Sequence, residues 1–79
     1  MSPTLFKWKG YRFYFFSREE ERMHVHVGSA DGEVKFWLEP TVSVARNYRL
    51  RTSQVSEIQR TVEEHRDEIA AAWRKHFGR

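Results

Sequence analysis

The sequence predicts an α+β domain in which an antiparallel sheet of about four strands is packed against one long C-terminal helix. Three observations carry this. Apolar and aromatic residues alternate with polar ones as far as Leu38, the alternation stops at Pro40, and a helical apolar stripe runs from Val55 to Phe77. Seventy-nine residues leave room for one domain, divided into a sheet over 1–39, a basic connector over 40–51 and an amphipathic helix over 52–78. A chain this short buries only about 60–65% of the surface its unfolded form exposes, so the core is small.

The first two strands are the aromatic runs Leu5 to Trp8 and Tyr11 to Phe16, separated by Lys9-Gly10. Glycine supplies the positive φ of a tight turn. A two-residue loop sets Trp8 opposite Tyr11 and Phe6 opposite Phe13, so Phe6, Trp8, Tyr11, Phe13 and Phe15 share one side of the pleat and Lys7 and Arg12 the other. A charged loop is expected over Ser17 to Arg22.

Met23-His24-Val25-His26-Val27 alternates strictly, and Gly28 to Gly32 leads into Glu33 to Leu38. Only an even offset matches the apolar faces of both strands. A four-residue loop, Ser29 to Gly32, pairs Val27 with Val34, Val25 with Phe36 and Met23 with Leu38, all facing inward. The same register sets His26 opposite Lys35 and His24 opposite Trp37 on the reverse side. Joining the two hairpins through a six-residue loop calls for a bulge if both aromatic faces are to stay together.

After Pro40, Val42, Val44, Ala45 and Tyr48 are expected to form a short helical turn within the basic connector. Val55, Ile58, Val62, Ile69, Trp73 and Phe77 then fall on one helical stripe. Thr52 or Ser53 is the expected N-cap and Gly78 the C-cap. Arg60, Glu63, Glu64, Asp67, Glu68 and Arg74 form the opposite, solvated face.

Composition narrows the function. Without cysteine there are no disulfides and no thiolate zinc site, and a reducing, cytoplasmic setting is expected. No signal-peptide run and no stretch of about 20 apolar residues suggests a membrane span, so no membrane partner is expected. The net charge of +3 comes entirely from residues 1–51, where nine Lys/Arg meet six Asp/Glu. That places the basic excess on the sheet and connector. Ordinary solubilising charge is the simpler account of so small an excess.

The two hairpins send Lys7, Arg12, His24, His26, Lys35 and Trp37 to the side of the sheet expected to lie away from the helix. Cations there can hold a phosphodiester while aromatics stack bases, and histidine can take and give a proton at neutral pH. These are the elements of a metal-independent ribonuclease, with His24 and His26 as proton-transfer groups and Lys35 beside Arg12 neutralising the phosphate. They are also the elements of a polar sheet face with no catalysis. His24 and His26 stand about 7 Å apart along a strand, and no third ligand is evident, so neither a metal nor a cofactor is expected. Arg46, Tyr48, Arg49 and Arg51 form a second basic cluster that can clamp a phosphate or an acidic partner. The simpler reading is a solvated connector with Tyr48 tucked onto the core. No Gly-rich phosphate loop, nucleophile elbow, zinc-ligand spacing or basic recognition helix is present, so kinase, hydrolase, zinc-finger and helix-turn-helix readings lack support.

Met1-Ser2-Pro3-Thr4, Gly10-Tyr11-Arg12-Phe13-Tyr14-Phe15, His24-Val25-His26-Val27 and Asp31-Gly32-Glu33-Val34-Lys35-Phe36-Trp37-Leu38 resemble the small bacterial domain-of-unknown-function family 4160. Glu64-His65-Arg66-Asp67-Glu68, Ala72-Trp73 and Phe77-Gly78 extend the resemblance over nearly the whole chain. It implies a short protein encoded beside a second one in an arrangement that looks like a toxin–antitoxin pair, with a cognate antitoxin-like partner. The matching motif positions are His24, His26, Lys35 and Trp37. The chain departs from the family at Arg22-Met23, where a proline pair is usual, and at Asn47-Tyr48-Arg49, where a glycine often follows.

Three functions are therefore carried forward: a toxin acting on RNA or translation; a non-enzymatic nucleic-acid- or protein-binding module of the same operon; and a protein partner associating through Trp37 and Phe16. The sequence does not decide whether the protein is an enzyme. Twelve aromatics cannot all be hidden beneath one helix, so some are expected to be covered by a second copy, as in a homodimer, or by a partner.

Overall fold

In the computed structural model, residues 4–16 and 22–78 are described. The strands are β1 (Thr4–Trp8), β2 (Tyr11–Tyr14), β3 (His24–Ser29), β4 (Gly32–Trp37) and β5 (Ser43–Tyr48), followed by the helices α1 (Thr52–Glu64) and α2 (Arg66–Phe77). The five strands form one antiparallel meander in chain order. All but Arg22 of the loop expected over Ser17 to Arg22 lies outside the described residues.

The first hairpin has the expected register, with Trp8 opposite Tyr11, Lys7 opposite Arg12 and Phe6 opposite Phe13. Lys9 (φ 50°) and Gly10 (φ 80°) both take positive φ, the two-residue turn whose twist matches the flanking strands. The second hairpin pairs Val27 with Val34 and Val25 with Phe36, and sets His26 opposite Lys35 and His24 opposite Trp37. Its ladder continues to Ser29 opposite Gly32, so the loop shortens to Ala30-Asp31. Between the hairpins Phe13 faces Val27 and Tyr14 faces His26 without a register shift. The expected bulge is absent there, because this even offset already puts both apolar faces on one side. Bulges occur instead in β1 at Leu5 and in β5 at Ala45.

The connector is a strand, not a helical turn. Residues Ser43–Tyr48 pair with β4, which satisfies backbone groups that β4 would otherwise present at a free edge. The bulge at Ala45 shifts side-chain parity midway. That shift hides the strand alternation from a sequence reader and leaves a pattern that mimics a helical turn.

The expected single helix is interrupted at His65 (φ −107°, ψ 14°). Its N–H is shared between the Thr61 and Val62 carbonyls at 3.1 and 3.2 Å, and its ring Nδ1–H donates to the Thr61 carbonyl at 3.1 Å. The helix begins one residue earlier than expected, with Arg51 as N-cap. There the Arg51 N–H donates to Gln54 Oε1 at 2.9 Å. Gly78 closes α2 in the left-handed conformation (φ 72°), as expected of a C-cap glycine.

One apolar cluster joins both layers. Phe13, Phe15, Val25, Val27, Val34, Phe36 and Leu38 from the sheet segment meet Ile58, Val62, Ile69, Ala70 and Trp73 from the helices. Phe6 and Trp8 pack against it partly buried. The charged residues assigned to the helix exterior, Arg60, Glu63, Glu64, Asp67, Glu68 and Arg74, are all exposed. The large hydrophobics left exposed among the described residues are Phe16, Val44 and Tyr48. The aromatic surplus behind the dimer expectation is therefore mostly covered within one copy. No helix among the described residues is long and apolar enough to cross a membrane.

Candidate nucleic-acid interface

Strand alternation and register together build the outer face of the sheet, away from the main core. One row across the strands is Lys7, Arg12, Gly28, Glu33 and Tyr48; the next is Thr4, Tyr14, His26, Lys35 and Arg46. A third begins with His24 beside Trp37. Residues from all five strands thus share one surface, because the fifth strand carries Arg46 and Tyr48 onto it.

Two shallow grooves run over this face. One, of about 510 Å³, lies over the second half of the sheet, and its lining includes Phe16, His26, Lys35, Trp37, Arg46 and Tyr48. The other, of about 530 Å³, lies over the first half and includes Lys7, Arg12 and Tyr14. Glu33 lines both grooves. Among the described lining residues, four cations therefore surround one carboxylate.

Aromatic packing holds this face. The His26 ring lies between Tyr14, stacked at 5.3 Å, and Phe16, tilted at 4.3 Å. The Arg12 guanidinium sits 4.3 Å from the Tyr14 ring, and Arg22 and Lys35 lie 4.2 and 4.6 Å from the Trp37 ring. Such contacts hold long cationic side chains over the face at small entropic cost. The Tyr14 hydroxyl donates to Glu33 Oε2 at 2.7 Å, reaching from β2 to β4 over Gly28, which has no side chain to obstruct it.

The structure corrects the placement of His24. It is fully buried, with its ring 4.9 Å from Trp73 of α2, edge-on, and 5.0 Å from His26. Its Nδ1 lies 2.8 Å from the Arg22 carbonyl; a carbonyl only accepts, so this nitrogen carries the proton. The Nε2 atoms of both His24 and His26 are closed off from solvent. His26 thus contributes to the groove with an imidazole whose outer nitrogen is covered.

Of the other anticipated residues, Lys7, Arg12, Lys35, Trp37, Arg46 and Tyr48 come together on the outer face. Tyr48 is 59% exposed and does not tuck onto the core. Arg49 and Arg51 do not join it: Arg49 occupies the turn after β5 with φ 71°, and Arg51 caps α1. Among the described residues no group of three or more His, Asp or Glu could hold a metal ion. Sequence reasoning missed Glu33 and Tyr14 as parts of the site. The alternation of the second strand and the register of the second hairpin carried the signal for both.

These features define a small meander sheet backed by two helices, with a cationic and aromatic outer surface. The profile of the domain of unknown function DUF4160 matches residues 10–74, and the chain belongs to that family. No curated protein and no solved structure matches it.

Proposed function

We propose that this protein is a non-enzymatic module that holds single-stranded nucleic acid across the outer face of its sheet, as the RNA-directed member of a bacterial toxin–antitoxin pair. The observation that carries this is the in-register gathering of Lys7, Arg12, Lys35 and Arg46 with the exposed rings of Phe16 and Tyr48. Cations along a groove follow a phosphate backbone, and exposed rings stack bases that a duplex would keep hidden. The cognate partner is a small antitoxin-like protein encoded nearby.

Binding is favoured over turnover because acid–base chemistry needs ring nitrogens within reach of substrate. Nε2 of both His24 and His26 is closed off, and Nδ1 of His24 is committed to the Arg22 carbonyl. A metal-independent ribonuclease is the second reading, favoured by His26 lying beside Lys35 in the groove.

Fluorescence anisotropy with a labelled single-stranded RNA hexamer, and with its DNA counterpart, tests the proposal. Wild type should bind, and the Lys35→Ala/Arg46→Ala double variant should lose about tenfold or more near 0.1 M salt, each lost phosphate contact removing charge-dependent affinity. Equal binding by both proteins contradicts it. Cleavage of the hexamer, abolished by His26→Ala, would favour the second reading.

A further inference from the structure

We infer that Glu33 selects the base bound on this face, favouring guanine through the N–H groups of its Watson–Crick edge. The inference rests on the proposed binding of single-stranded nucleic acid and concerns its specificity. A carboxylate among Lys7, Arg12, Lys35 and Arg46 works against phosphate affinity, yet it lines both grooves at their junction. It is held there: Tyr14 donates to Oε2 at 2.7 Å, and Gly28 beneath leaves the path between the two side chains clear. An ideal Cβ built on Gly28 would already touch the Tyr14 ring edge at 3.5 Å and the Glu33 carboxylate at 3.7 Å. A larger side chain there would have to pack against both members of the pair.

A fixed carboxylate accepts hydrogen bonds and donates none. Each oxygen accepts more than one, so the bond from Tyr14 leaves Glu33 capacity for a ligand. Guanine offers N1–H and an N2 amino group side by side, matching two carboxylate oxygens. Adenine and cytosine offer an amino group next to an acceptor that repels the second oxygen, and uracil offers one N–H between two carbonyls. Bases of single strands are read on these edges once they stack on protein aromatics, and Phe16 and Tyr48 flank the same groove. Glu33 and Tyr14 divide the labour, the first contacting the base and the second positioning the first.

The test uses labelled RNA hexamers of uridine in which one central residue is guanosine, inosine, adenosine, cytidine or uridine. Wild type should bind the guanosine hexamer about five- to a hundredfold more tightly than the all-uridine one, the usual worth of a bidentate base contact. Inosine, which lacks the N2 amino group, should fall between them. Glu33→Gln should flatten the series, bringing the ratio of guanosine to all-uridine affinity close to one. Tyr14→Phe, with Glu33 intact, should narrow the preference without removing it. Equal wild-type affinity for all five hexamers overturns the inference and leaves the binding reading standing. A preference that survives in folded Glu33→Gln also overturns it, as does a Glu33→Gln variant that loses thermal stability but keeps the series. Failure of wild type to bind any hexamer overturns the binding reading and this inference together.

Discussion

At the scale of single residues, the outer face is a set of hydrogen-bonding and cationic groups whose positions follow from strand parity, and His24 is where parity and burial part company. It occupies an outward position on β3, opposite Trp37, yet Trp73 covers it and leaves it fully buried. Alternation tells which side of a strand a residue leaves from. It does not tell what lies over the end of the sheet, and nothing local to Met23-His24-Val25 announces a tryptophan some fifty positions later. The inward residues were legible because both their parity and their apolar character point the same way. Removal of His24 therefore empties core volume and strips the Arg22 carbonyl of its donor. His24→Ala should cost about 2–4 kcal/mol in urea unfolding, comparable to truncating other buried side chains. Arg46→Ala, at an exposed position, should stay within about 0.5 kcal/mol. Val25→Ala and Phe36→Ala should each cost about 2–5 kcal/mol through lost packing.

Among the elements, β5 decides the site, since without it Arg46 and Tyr48 would not reach the outer face. Its end is fixed by the close approach of β4. A Cβ on Gly32 would fall inside the van der Waals radius of the Tyr48 carbonyl oxygen, and the chain then turns through Arg49 in the left-handed region. Asn47 closes the turn, its amide donating to the Leu50 carbonyl at 2.9 Å and its oxygen accepting from the Leu50 N–H at 3.2 Å. Arg49 is thus a non-glycine residue held at positive φ (71°), where its Cβ crowds the backbone. Gly32→Ala should destabilise by about 1–3 kcal/mol in urea melts, as overpacking against fixed backbone does. Arg49→Gly should be neutral or stabilising by up to about 1 kcal/mol, because relief of roughly 1–2 kcal/mol of left-handed strain exceeds glycine's added chain entropy. The helix break went unread, because a step of seven residues stays on one helical stripe. The apolar stripe skips from Val62 to Ile69, and His65, which fills that gap, lies over Phe6 at 5.1 Å and bonds back to Thr61.

Over the whole molecule, the basic excess lies on one surface. The sheet's outer face gathers Lys7, Arg12, Lys35 and Arg46 around one carboxylate, while on the helices the exposed Glu63, Glu64, Asp67 and Glu68 are offset by the equally exposed Arg60, Arg74 and Lys75. The sign of the sheet surface was legible in the uneven placement of charge along the chain, but its extent depended on a strand hidden by a bulge. A basic excess on one face orients a polyanion before contact. If four cations meet phosphates, log K against log salt should slope at about −3, and Lys35→Ala/Arg46→Ala should reduce that slope by about 1.4. For the proposed toxin role, expression alone should arrest growth and co-expression of a neighbouring small protein should relieve it; unimpaired growth contradicts that role. Chemical-shift mapping of amides and side chains, while a single-stranded RNA hexamer is titrated into the labelled protein, asks whether the outer face is the binding surface. Shifts should concentrate at Arg12, Tyr14, Glu33, Lys35, Trp37, Arg46 and Tyr48, with Glu63, Glu64, Asp67 and Glu68 unmoved. Shifts confined to the helices, or none at saturating RNA, would contradict binding at this face.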